Sequence, residues 1–321
     1  MKSVLRGLVG GLAFFWLSAC ATMDQAPPGG FELTDRKAYP PAGQLIPVEG
    51  RMVHAVVMGD GPDIVLIHGS SGNWLDMTFR LAPALAENYR VIAMDRPGLG
   101  HSERLPRDGE SIFDQARVLR AAAQALGADK PIVLGQSYGA AVALAWAVDA
   151  PDGVAAVVSV AGVSHPWEGK PSAFFEITGS RLGGALAVPV MSALATRARI
   201  EGSLTKVFAP QPVPIGYAEH IGVPLVIAPT ALRATGNQRL RLKDEIRQLA
   251  PRLPSIAVPV EIVHGTADDT VSYEEQAKQL ESRVTGARLT TLPGVGHMPH
   301  QTHTSAVIDA IDSAARRAGL R

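Results

Sequence analysis

The chain has 321 residues, 46% of them hydrophobic and 19% charged, which is enough apolar material for one large core. Its 30 basic and 30 acidic side chains cancel, so charge offers no case for a nucleic-acid or acidic partner. A single cysteine and the lack of any internal repeat or heptad pattern leave no basis for a disulfide scaffold, a repeat array or a coiled coil.

At the N-terminus Lys2 and Arg6 precede an apolar stretch, Leu8 to Leu17, too short to span a bilayer as a stable helix. Residues 1–20 therefore predict a signal peptide. It closes on Leu17-Ser18-Ala19-Cys20, which resembles the lipobox of bacterial lipoproteins. The resemblance implies cleavage before Cys20, lipid attachment to it, and residence on a cell-envelope membrane, with Ala21 favouring the outer one. The alternative is an ordinary secretory peptide cut after small residues. Residues 21–47, with Ala26-Pro27-Pro28-Gly29-Gly30 and Tyr39-Pro40-Pro41-Ala42-Gly43, predict a tether without regular structure.

From Arg51 onward, apolar runs alternate with helical patterns. Strands are predicted at Arg51 to Met58, Asp63 to Ile67, Tyr89 to Met94, Pro131 to Leu134, Val154 to Val160 and Pro259 to Val263, with a further strand-like segment at Arg288 to Leu292. Helical segments such as Ser111 to Leu126 and Ala140 to Val148 lie between them. This alternation predicts an α/β fold, a mostly parallel sheet covered on both faces, with a core in two parts, 48–162 and 258–321. Between them, residues 163–257 show no buried-strand pattern but several helical stretches, including Gly184 to Thr196 and Arg239 to Leu249, and predict a helical cap. Its apolar residues, among them Trp167, Phe174, Phe175, Leu182, Met191 and Leu194, are expected to line a pocket or bury the cap on the core.

Gly135-Gln136-Ser137-Tyr138-Gly139 joins the apolar run Ile132-Val133-Leu134 to an alanine-rich helix. A serine between two glycines at a strand-to-helix turn is a candidate nucleophile elbow, because only residues without side chains let strand and helix approach so closely. The following helix N-terminus favours negative charge beside the hydroxyl.

Four further motifs complete a resemblance to the α/β-hydrolase superfamily that runs from about Arg51 to the C-terminus. They are His68-Gly69-Ser70-Ser71-Gly72 after a strand, like the family's oxyanion loop; Asp95-Arg96-Pro97-Gly98-Leu99-Gly100-His101-Ser102, like its D-x-x-G-x-G-x-S turn; Gly265-Thr266-Ala267-Asp268, like its acid turn; and Gly296-His297, like its histidine loop. The order Ser, Asp, His is the one this fold uses.

A serine hydroxyl needs a base within hydrogen-bond reach, and histidine has the pKa for it. Of nine histidines, His297 is the best placed, in a glycine-bracketed loop after a strand-like segment. His300 and His303 follow at intervals of three, but no cysteine or carboxylate cluster completes a metal site, and a solvated helix start is expected there. Asp268 and Asp269 compete to orient the histidine; the family pattern, with the acid three residues after the glycine, selects Asp268 and leaves Asp269 to cap the helix near Tyr273. The N–H groups of Tyr138 and, by resemblance, Ser70 would form the oxyanion hole. His68 is expected to order its loop and Asp95 to brace its turn.

Haloalkane dehalogenases and epoxide hydrolases of the superfamily carry aspartate at the elbow, so Ser137 favours acyl chemistry. The expected activity is hydrolysis of a small, apolar carboxylic ester through an acyl-enzyme, with no metal or organic cofactor implied. The alternatives are carbon–carbon bond hydrolysis or peracid formation on the same three residues, and a non-catalytic envelope binding module.

Overall fold

The computed structural model describes residue 33, residues 35–106 and residues 110–321; the signal peptide, Cys20 and the N-terminal half of the expected tether lie outside them. Eight strands form one sheet: β1 (Gln44–Val48), β2 (Arg51–Met58), β3 (Asp63–Ile67), β4 (Arg90–Met94), β5 (Ile132–Gln136), β6 (Ala156–Val160), β7 (Val260–Gly265) and β8 (Arg288–Leu292). Their spatial order is β1-β2-β4-β3-β5-β6-β7-β8, antiparallel for β1-β2 and β2-β4 and parallel from there on.

The expected tether is corrected at its C-terminal end. The sheet begins at Gln44, not after residue 47, because Ile46 and Val48 are buried and pair across from Val53 and Arg51 of β2. A short 3-10 turn at Arg36–Ala38, capped by the Asp35 side chain, precedes it.

Five-residue apolar strands read as near-continuous hydrophobic runs because both sheet faces are covered. Ile64 and Leu66 of β3 and Ile132 and Leu134 of β5 point to one core, Val65, Ile67 and Val133 to the other. On the first face lie α1 (Trp74–Thr78), α2 (Leu81–Leu85) and the C-terminal helix; on the second, α3 (Ile112–Ala125) and α4 (Tyr138–Asp149). Each fully buried Val, Leu or Ile of these layers contributes roughly 1.5–3 kcal/mol.

Between β6 and β7 the described chain is helical: α5 (Ala173–Gly179), α6 (Arg181–Ala193), α7 (Arg197–Phe208), α8 (Tyr217–His220), α9 (Val223–Val226) and α10 (Pro229–Leu249). Helices α5 and α10 touch backbone to backbone at Gly179 and Gly236, where an added Cβ on Gly179 would come within 2.6 Å of Gly236. The chain ends with α11 (Lys278–Arg283), α12 (Pro299–Thr302) and α13 (Thr304–Arg317).

Three cap residues expected to be covered are not. Phe174 on α5 is 40% exposed, and Leu182 is 77% and Leu194 61% exposed because the inward side of α6 is occupied by Gly184 and Val188. Leu182, Leu186, Val190 and Leu194, spaced four apart, therefore form an outward stripe.

Candidate active site

Strand β5 delivers Ser137 to the sheet's carboxyl edge at φ 53°, ψ −115°, a conformation costly for any residue with a side chain. The surroundings impose it. Ser137 N–H donates to Val160 O at 2.9 Å, and Val163 N–H donates to Ser137 O at 3.2 Å. The flanking glycines are sterically required: a Cβ on Gly135 would sit 2.1 Å from Gly139 O, and one on Gly139 2.2 Å from Ile67 O.

Ile67 is in register with Gly135, so the loop that follows β3 emerges beside the elbow. Gly69, Ser70, Ser71 and Gly72 line the same cavity as Ser137. Arg96 fixes this loop, donating from Nε to His68 O at 3.0 Å and from Nη2 to Gly69 O at 2.8 Å. His68 is fully buried, and burial together with the nearby Arg96 charge lowers its pKa to about 4. The neutral ring accepts from Arg96 N–H at Nε2, 3.0 Å, and donates from Nδ1 to Gly69 O. Its role is to order the loop. Asp95 braces the neighbouring turn by accepting from Trp74 N, His54 Nδ1 and His101 N at 2.8–2.9 Å.

Tyr138 opens α4, so its N–H is among those without a partner inside the helix. Its ring is buried under the Arg96 guanidinium, 4.3 Å from the ring centre.

Strands β7 and β8 supply the other half. A Cβ on Gly265 would lie 2.0 Å from Val295 O, and Ala267 N–H donates to that oxygen at 2.9 Å, which draws the loop carrying His297 against the turn carrying Asp268. His297 Nε2 stands 2.9 Å from Ser137 Oγ, and Nδ1 stands 2.7 Å from Asp268 Oδ2. All three side chains are buried. Asp268 Oδ1 accepts from Thr270 N and Val271 N, both at 2.8 Å. Burial pushes the Asp268 carboxyl up, but hydrogen bonds from His264 and His297 outweigh it and hold the group well below the usual carboxylate range.

Ser137, His297 and Asp268 are thus brought together, with Ser70 and Tyr138 beside them. Asp269 is exposed and does not cap the following helix: the cap is Ser272, whose side chain accepts from Glu275 N. His300 is not at a solvated helix start. It is fully buried, with Nε2 3.2 Å from both oxygens of Asp76. His303 remains partly exposed, against Thr302.

Three supporting residues carry no signal of their own in the sequence. Gln136, the variable residue of the elbow, donates to His297 O at 3.2 Å. His264, one residue before the end of β7, donates to Val271 O and lies 3.3 Å from Asp268. Asp76 is held by Tyr217 OH at 2.7 Å and by His300 and Gln301. The cavity over Ser137 measures about 350 Å³; its walls are largely aliphatic, from α7 and α9, and Phe175, Asp76 and Arg239 also line it.

The alpha/beta hydrolase fold family model matches residues 62–185. Over 250 residues the chain is 30% identical to the magnesium-chelatase 30 kDa subunit of Rhodobacter capsulatus, covering 75% of this chain and 82% of that one. The chain belongs to the alpha/beta hydrolase fold family. Haloalkane dehalogenase 2 of Mycobacterium tuberculosis is 35% identical over 127 residues, 37% of this chain; the match spans only 44% of the relative's length. Among solved structures, the 2-hydroxy-6-oxo-6-phenylhexa-2,4-dienoate hydrolase of Rhodococcus sp. strain RHA1 superposes with a TM-score of 0.69 at 22% identity, covering 85% of this chain and 97% of that one. In this α/β-hydrolase family member, the motifs met in the sequence fall on the strand ends that border one crevice, where ligands bind in open parallel sheets.

Proposed function

We propose that this α/β-hydrolase is a serine hydrolase of small, apolar carboxylic esters, with Ser137 as nucleophile, His297 as general base and acid, and Asp268 as its orienting carboxylate. The observation that carries the proposal is the unbroken relay Ser137 Oγ, His297, Asp268 at 2.9 and 2.7 Å, on a strained elbow. His297 takes the Ser137 proton as Oγ bonds to the ester carbonyl carbon, whose oxygen becomes an oxyanion facing the N–H groups of Ser70 and Tyr138. The intermediate collapses, the alkoxide leaves with the proton from His297, and an acyl-enzyme remains. Water, deprotonated by His297, then releases the acid and restores Ser137. Asp268, ionised throughout, keeps Nδ1 protonated and Nε2 free to accept.

A panel of p-nitrophenyl esters from acetyl to long acyl, with protein lacking residues 1–20, tests this; turnover with an optimum at short to medium chains is expected from a cavity of about 350 Å³. No turnover of any ester by folded protein, with turnover of a vinylogous 1,5-diketone instead, would move the assignment to carbon–carbon bond hydrolysis.

The lipobox-like Leu17-Ser18-Ala19-Cys20 further supports anchoring to the bacterial cell envelope through Cys20, with the outer membrane favoured by Ala21. Expressed in a bacterium, the full chain is expected to incorporate radiolabelled palmitate and sediment with membranes. Cys20→Ala protein that still incorporates label would contradict this.

A further inference from the structure

Among the described residues, Arg239 is the one arginine or lysine on the wall of the cavity over Ser137, and its charge has no counterpart there. Among the described residues it makes no hydrogen bond or ion pair; its Nε is buried without a partner, and its guanidinium carbon lies 5.2 Å from the centre of the Phe175 ring. Burial lowers its pKa, and the only charge acting against that is Tyr138, a phenol whose own pKa burial pushes up. The neighbouring buried arginine differs: Arg96 has its donors taken by His68 O, Gly69 O, Gln115 and Gln238. Half-buried arginines elsewhere face acids, Arg90 on Asp63, Arg104 on Glu110 and Arg317 on Glu261.

A partly buried guanidinium with no anion beside it is left uncompensated, and its planar fork suits two oxygens of one carboxylate. The other charged group of the cavity does not fill that role. Both Asp76 oxygens are engaged by Tyr217, His300 and Gln301, on the α1 side of the pocket.

We infer that Arg239 is an anion-binding subsite, and that the ester accepted at Ser137 carries a carboxylate on the same small molecule. The aliphatic walls take its carbon chain, the oxyanion loop its carbonyl, and Arg239 its charged end. This rests on the serine-hydrolase reading of the site, and the inference amends its substrate from a neutral apolar ester to a half-ester of a dicarboxylic acid or its like, apolar along its chain and charged at one end.

The test compares mono-4-nitrophenyl glutarate with the 4-nitrophenyl methyl diester of glutaric acid, which differ in one charge. The wild-type protein is expected to favour the half-ester in kcat/KM, and Arg239→Gln to reduce the ratio of the two kcat/KM values by about 10–100-fold. Arg239→Lys, which keeps the charge and loses the fork, should fall between. A purely structural arginine would lower both substrates equally and leave the ratio unchanged, and that result would overturn the inference. Monomethyl glutarate binding to Ser137→Ala protein, measured by calorimetry with and without Arg239→Gln, reads the subsite without turnover. Loss of binding with Arg239→Gln supports the subsite even if no ester is cleaved, whereas equal or absent binding in both proteins refutes it while the ester panel can still succeed.

Discussion

Replacing Ser137 with alanine is expected to lower kcat on any accepted p-nitrophenyl ester by about four decades or more, equivalent to at least about 5.5 kcal/mol of transition-state stabilisation. The whole relay exists to raise the nucleophilicity of one oxygen, and with Oγ gone His297 has nothing to deprotonate but water. The fold should survive, because the turn is held by Ser137 backbone bonds to Val160 and Val163 and by the flanking glycines, none of which uses the hydroxyl. Alanine at φ 53° is no worse placed than serine. The check is steady-state kinetics beside a thermal melt; a loss below tenfold with an unchanged melt would show that another group attacks.

Asp268→Asn is expected to cost about 10⁴-fold in kcat with little change in KM. The amide oxygen can still accept from Thr270 N and Val271 N, so the turn after β7 remains intact. The amide nitrogen then faces His297 Nδ1, where the carboxylate Oδ2 had been at 2.7 Å. An N–H donor there makes Nδ1 the acceptor and leaves the proton on Nε2, the wrong tautomer to receive one from Ser137. Because the Asp268 pKa lies far below neutrality, wild-type activity should show no loss from Asp268 protonation on the acid side down to the ordinary carboxylate range. Asp268→Ala should behave worse than Asp268→Asn, since it also removes the oxygen that accepts from both Thr270 N and Val271 N. A penalty under tenfold for Asp268→Asn would make the exposed Asp269 the carboxylate to examine.

The sheet was legible because parallel strands buried on both faces leave short apolar runs, and Arg51–Met58, Asp63–Ile67 and Arg288–Leu292 stand where the pattern puts them. Strand β1 escaped because Pro47 and the prolines and glycines before it mask two buried residues, Ile46 and Val48, on an edge strand where proline is tolerated. The cap was visible only as an interruption. Which of its apolar residues face inward depends on how α6 rolls against α5 and α10, and that is set by Gly184 and Val188 on its inner side.

At the site, glycines marked the close approaches: a Cβ added to Gly135, Gly139, Gly265 or Gly296 would come within 2.2 Å of a facing backbone oxygen. His300 and Arg239 were not legible. A histidine next to a helix start and one arginine among several in Arg233–Arg247 look solvated until the facing elements, α1 for the first and α5 for the second, are in place.

The most direct measurement is the mass of the full-length mature protein, and of its peptides, after reaction with a fluorophosphonate. The proposed mechanism predicts one adduct, on the peptide containing Ser137, formed rapidly in the wild type and about a thousandfold or more slower in His297→Ala, because an unactivated hydroxyl is a weak nucleophile. Folded wild-type protein that takes no adduct, or takes it on another residue, would contradict the assignment of Ser137 as the nucleophile.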